Sequence, residues 1–117
     1  MSPLAKAAYN ILRLRLTRAE PRITYAQLAE QLRETSEDFE HVWHRSPEFF
    51  AALRDMGREC KRLGLPPLPA LVVRADTRRP GAAYYACKRA GARTRGDRVA
   101  AWRRDLERVK QSQYPLL

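Results

Sequence analysis

The strongest constraint on the fold lies between Ser46 and Pro67. Phe49, Leu53, Met56, Cys60 and Leu63 recur at steps of four and three residues, and Phe50 and Gly57 widen the stripe. That is the period of an α-helix with one buried face. Both ends are written as well. Ser46-Pro47-Glu48 opens the helix, Gly64 supplies a left-handed cap, and Leu65 is placed to pack back on Cys60. Pro66 and Pro67 then forbid continuation.

Two further helices are expected upstream. Ser2-Pro3 is a capping hydroxyl followed by proline at the first helical position, and Leu4, Ala7, Ala8, Ile11 and Leu12 give one apolar face. Thr17 to Pro21 ends it. Thr24 stands three residues before Gln27, the spacing of a capping box, with Ile23 and Leu28 placed as a hydrophobic staple. A short helix therefore begins at Tyr25. Phe39, Val42 and Trp43 fall at i, i+3 and i+4, so another short helix is expected from about Ser36. Glu37, Glu40, His41 and His44 would share a different face of it. Such a set could hold a divalent metal, but a solvated face is the commoner outcome, and no metal or cofactor is expected.

Downstream the period changes. Residues 68–74 and 82–87 read as two β-strands, with Tyr84 and Tyr85 typical of sheet. Pro80 and Gly81 set the turn between them, and Arg78 and Arg79 sit at its tip. Residues 88–96 read as a flexible basic loop of small residues. Asp97 is placed to cap a last helix whose apolar face is Val99, Trp102, Leu106 and Val109. Trp102, with apolar neighbours at i+4 and i+7, reads as a core anchor rather than a stacking platform. The order is helix, helix, short helix, long helix, hairpin, helix. The expected fold is mostly α with a small β-hairpin: a winged helix-turn-helix plus a C-terminal helix. It forms a single domain over residues 1–117, without internal repeat.

Charge is distributed unevenly along this order. The first forty residues hold six basic and six acidic side chains. From Arg74 to Arg104 there are ten Lys or Arg against two acids, Asp76 and Asp97, so this window carries +8 of the chain's +10. A polyanion meeting such a surface releases counterions whatever its sequence. The apolar fraction, 44%, is ordinary for a folded domain. No apolar run reaches the roughly 20 residues of a membrane span, and Lys6, Arg13 and Arg15 interrupt the first apolar stretch, which is unlike a signal peptide. A cytoplasmic protein with no membrane partner is expected. Cys60 and Cys87 are then thiols rather than a disulfide framework.

The text Ile23-Thr24-Tyr25-Ala26-Gln27-Leu28-Ala29, the long helix, Gly64 to Val73 and Pro80-Gly81 together resemble small bacterial and phage winged-helix domains associated with HNH and restriction-type nucleases. The resemblance covers most of residues 20–110. More distantly, the layout is similar to the DNA-binding domain of alkylguanine-DNA alkyltransferases. There a Pro-Cys-His-Arg active-site motif follows the second helix of the pair. Pro69-Ala70-Leu71-Val72 stands here instead, with no cysteine, histidine or arginine. What this likeness implies is DNA binding without alkyl transfer.

Other chemistry has little to stand on. A nuclease clusters carboxylates around metal ions, whereas the acids gather over residues 30–48, far in sequence from the basic window. Cys60 lies on a buried face, and Cys87 beside Lys88 and Arg89 is at most an activated thiol. The expected function is non-enzymatic binding of nucleic acid, DNA favoured over RNA, by a transcription regulator or accessory protein of a phage or mobile element. Arg54, Arg58, Lys61 and Arg62 would meet the groove or its rim. Arg78 and Arg79 would hold the backbone or the minor groove, Arg93, Arg95, Arg103 and Arg104 would add nonspecific phosphate contacts, and Arg74, Lys88 and Arg89 complete the expected nucleic-acid-binding set. The alternative is a small subunit or inhibitor within a nucleoprotein complex, of the defence or CRISPR type, binding RNA or a partner protein. A homodimer would use the C-terminal helix, unless that helix simply closes the core; a larger protein complex is the other expected assembly.

Overall fold

A computed structural model describes residues 1–86 and 95–117. Its elements are α1 (Pro3–Arg15), β1 (Ile23–Thr24), α2 (Tyr25–Thr35), a 3-10 turn (Glu37–Phe39), α3 (Pro47–Arg62), a second 3-10 turn (Leu68–Leu71), β2 (Val72–Val73), α4 (Ala82–Ala86) and α5 (Arg95–Gln111). The fold is mostly helical with one small two-stranded sheet. No helix among the described residues is long and apolar enough to cross a membrane.

The helix ends form where local chemistry places them. Ser2 Oγ accepts from Ala5 N–H at 3.1 Å. The capping box closes both ways: Gln27 N–H donates to Thr24 Oγ1 and Thr24 N–H to Gln27 Oε1, each at 3.1 Å. α3 ends with Leu65 N–H donating to Cys60 O at 2.8 Å and Gly64 N–H to Lys61 O at 3.0 Å, with Gly64 at φ +72°. This is the Schellman pattern, and glycine avoids the steric penalty of a left-handed turn.

α1 packs against both α2 and α3, and the three helices bury Tyr9, Leu12, Leu28, Leu32, Phe49 and Met56. The strands lie in the same core. β1 and β2 pair in parallel, Ile23 opposite Val72 and Thr24 opposite Val73. α5 closes it with Trp102, Leu106 and Val109.

Three expectations fail here. The hairpin does not form. Residues 68–71 make a 3-10 turn, so that only Val72 and Val73 extend, and they pair with β1 rather than with residues 82–87. The segment Ala82–Ala86 is helical, and Cys87 lies outside the described residues. Tyr84 turns to bury its ring and donates its hydroxyl to Asp105 Oδ2 at 2.5 Å. Tyrosine's preference for sheet reflects a half-buried surface more than backbone bias, and a helix offers one here. The helix expected from Ser36 shrinks to a single 3-10 turn, because Ser36 Oγ caps Asp38 and Arg33 Nη1 takes Val42 O at 2.7 Å. The face that would have aligned Glu37, Glu40, His41 and His44 is therefore absent, and His41 instead sits 3.4 Å from Glu48. Finally, the apolar face of α5 is used inside the monomer. Trp102 is 3% exposed and its Nε1–H donates to Ala70 O at 2.9 Å, so this face closes the core. The expected loop over 88–96 lies outside the described residues except at its end, where α5 already begins at Arg95. Asp97 thus lies within the first turn of α5 rather than ahead of it.

Candidate nucleic-acid interface

The basic loop between β2 and α4 is built from its own hydrogen bonds. Arg74 N–H donates to Arg79 O at 2.9 Å, and Arg78 N–H to Arg74 O at 3.0 Å. Asp76 accepts from Thr77 N–H at 2.8 Å and from the Arg74 guanidinium at 3.0 and 2.8 Å. That fork holds the Asp76 carboxyl below the usual carboxylate range. Arg78 takes φ +58°. A side chain in the left-handed region costs about 1 kcal/mol or more, and here the surrounding bonds enforce it. Arg74, Arg78 and Arg79 are all exposed.

The loop rests on Tyr25 at the start of α2. Gly81 N–H donates to the Tyr25 hydroxyl at 2.9 Å. The same ring lies 6.0 Å from Phe50 and 6.5 Å from Phe49, so it also touches the start of α3. Burial pushes the Tyr25 hydroxyl pKa up, which keeps it protonated. Behind the loop, the Arg15 guanidinium ties the α1–β1 connection together, donating to Pro21 O at 2.9 Å and Arg22 O at 2.6 Å. Burial lowers the Arg15 pKa most, and the charges of Arg18 and Arg78 add to this. Hydrogen bonds from Arg22 hold Glu20 at about 2.

α3 presents a second basic surface. Phe50, Arg54, Gly57 and Lys61 recur at i, i+4, i+7 and i+11, hence on one face, with Arg58 beside them. Arg54, Arg58 and Lys61 are exposed. Gly57 is half-buried, and a Cβ there would meet Pro69 Cγ at 4.0 Å, an ordinary contact. Packing does not require glycine at this position.

The expected cations divide into three groups. Among the described residues, Arg54, Arg58, Lys61, Arg78, Arg79, Arg103 and Arg104 are exposed and make no ion pair within the protein. Arg62 is paired with Glu59 and Arg74 with Asp76. Lys88, Arg89 and Arg93 lie outside the described residues, as does the side chain of Arg95. Arg103 and Arg104 stand on the outer side of α5. The Tyr85 hydroxyl, raised mainly by burial, also feels Arg79 and Arg98, so α5 contributes Arg98 to the neighbourhood of the loop. Tyr25, Phe50, Tyr85 and Arg98 are not among the interface residues expected from the sequence. In the sequence Tyr25 stands as the residue after a cap and in the winged-helix-like text, and Phe50 as one edge of a buried stripe.

The Cys60 thiol is buried and its pKa is raised by that burial, so it is held as the unreactive neutral form. No family model, curated protein or solved structure matches the chain.

Proposed function

We propose that this chain is a non-enzymatic nucleic-acid-binding protein that grips duplex DNA between α3 and the 74–81 loop. In this reading α2 and α3 are the helix pair of a helix-turn-helix, and the loop takes the part of a wing without being a hairpin. One observation carries it. A single side chain, Tyr25, touches Phe50 on α3 and accepts from Gly81 in the loop, so both cationic surfaces are fixed to one joint. Arg54, Lys61, Arg78 and Arg79 then meet the polyanion with no internal carboxylate to displace. Gly57 supports the same reading, since a helix interior normally disfavours glycine by about 1 kcal/mol and a close backbone approach offsets that. A regulator or accessory protein of a phage or mobile element fits such a module.

Fluorescence anisotropy against matched duplex DNA, single-stranded DNA and hairpin RNA across a salt series tests it. Duplex binding should persist near physiological salt. Arg78→Ala with Arg79→Ala should weaken it and flatten the slope of log K against log salt by about one to two units. An unchanged slope would remove the loop from the interface, and binding without duplex preference would remove the helix-turn-helix reading.

A further inference from the structure

Trp43 is 58% exposed, yet its loop is firmly held. Val42 is buried, and Arg33 Nη1 donates to Val42 O at 2.7 Å. Trp43 O accepts from Ser46 Oγ at 2.7 Å and from Ser46 N–H at 2.9 Å. The indole packs edge-on against His44, with ring centroids 5.8 Å apart. With the backbone fixed on both sides, the ring is kept out of the core. Tryptophan is enriched among the residues that dominate the energetics of protein interfaces.

A groove lies one residue away. It runs between the start of α1, the 3-10 turn and α3, with a volume of about 790 Å³. Leu4, Phe39, Val42 and Ala51 make it largely apolar. Its rim carries both signs: Arg54 and Arg58 from the middle of α3, Asp38 and Glu48 from the turn and the start of α3. His41 also lines it, 3.4 Å from Glu48, and Asp55 is held by Ser2 N–H at 2.8 Å.

We infer that this face is the two-fold interface of a homodimer, in which Trp43 of each copy seats in the groove of the other. The mixed rim selects this occupant. A uniformly basic partner would meet Arg54 and Arg58, and a uniformly acidic one Asp38 and Glu48. A second copy rotated by 180° lays its arginines over the first copy's acids, and the reverse, which is what a self-complementary interface requires. The groove includes no residue of the 74–81 loop, so the dimer leaves that loop open. Arg54 and Arg58 also stand on the α3 face proposed above to meet duplex DNA, so dimer and duplex compete for α3; the self-association is read without nucleic acid and stands or falls by itself.

Sedimentation velocity of the full chain across a dilution series tests it. The wild type should pass from monomer to dimer with rising concentration, and Trp43→Ala should raise the dissociation constant about tenfold or more. Ala51 is exposed on α3, so Ala51→Glu blocks the groove without entering the core, and it should act equally. Circular dichroism checks that both variants keep their helices. Mixed in equal amounts, the two variants should associate more strongly than either alone. The mixed pair restores one intact tryptophan against one intact groove, and neither homodimer has any. A chain that stays monomeric at its highest soluble concentration, a dimer indifferent to Trp43→Ala, or a mixture no better associated than its components would each overturn the proposal.

Discussion

The scaffold of residues 1–65 and the stretch from 66 to 86 are held in different ways. In the scaffold, caps reach three residues along the chain and apolar stripes meet at helical period, as at Thr24–Gln27 and along α3. The following stretch has little regular structure and hangs from distant side chains. Tyr114 donates to Pro66 O at 2.6 Å, Trp102 to Ala70 O at 2.9 Å, and Tyr84 to Asp105 at 2.5 Å, while Tyr25 accepts from Gly81. Three prolines in 66–69 remove backbone donors, so side chains from elsewhere must take up the carbonyls. The difference teaches where local reading of a sequence works: it works where the partner of a group lies within one helical turn.

The sharpest way to break this contrast is to cut one of the long-range anchors. Trp102→Ala removes a buried indole and leaves Ala70 O unpaired, and should cost about 3–5 kcal/mol, read from denaturant midpoints. Hydrogen exchange should accelerate over residues 68–73 first. Uniform loss of protection across α1 and α3 at the same denaturant concentration would mean that the two regions unfold as one unit, and the contrast would fail.

The same division explains what the sequence made legible. The Schellman ending at Gly64, the capping box and the buried role of Trp102 were readable because stripe and cap signals are local. The hairpin was misread because Tyr84 and Tyr85 advertise strand, while Tyr84 donates instead to Asp105, 21 residues on. The helix from Ser36 was misread for a similar reason: Arg33 takes the Val42 carbonyl that a helix would have kept for itself. For the candidate interface, the exposure of Arg78 and Arg79 followed from their turn, but the pairing of Arg74 with Asp76 and the joint at Tyr25 needed three dimensions.

A smaller effect sharpens the comparison through pH. Tyr84→Phe deletes the donor to a buried aspartate and should destabilise by about 1–2 kcal/mol at neutral pH. Burial and the Asp105 bond push the Tyr84 pKa up from the ordinary 10.0. Below that value both folded and unfolded chains keep the proton, and the stabilisation is complete. Above it the unfolded chain loses the proton while the folded one retains it, so stability falls as pH rises. Denaturant midpoints from about pH 8 to about pH 11 should therefore decline less steeply in Tyr84→Phe than in the wild type. Burial raises Tyr114 and Tyr25 in the same direction, so some slope should survive. A variant with the wild-type slope would show that Tyr84 is not an anchor of this stretch.

The smallest expected change in stability tests whether the loop's shape and its charge are separate properties. Arg78 holds φ +58°, where glycine has no Cβ to clash but brings extra freedom to the unfolded chain. These two terms are each about 0.5–1 kcal/mol and oppose one another. Arg78→Gly should therefore leave stability within about 0.5 kcal/mol of wild type. Its effect on binding should be plain, because one exposed cation is gone: the salt slope should fall by about one unit. Arg79 lies outside the left-handed region, so Arg79→Gly gains no relief and should be the less stable of the two while losing the same charge. If Arg78→Gly instead lowers stability as much as Arg79→Gly, the loop's conformation depends on the Arg78 side chain. If stability holds and the slope falls, the shape is set by the loop's own backbone bonds and by Tyr25, and the arginine at its tip is free to meet a phosphate.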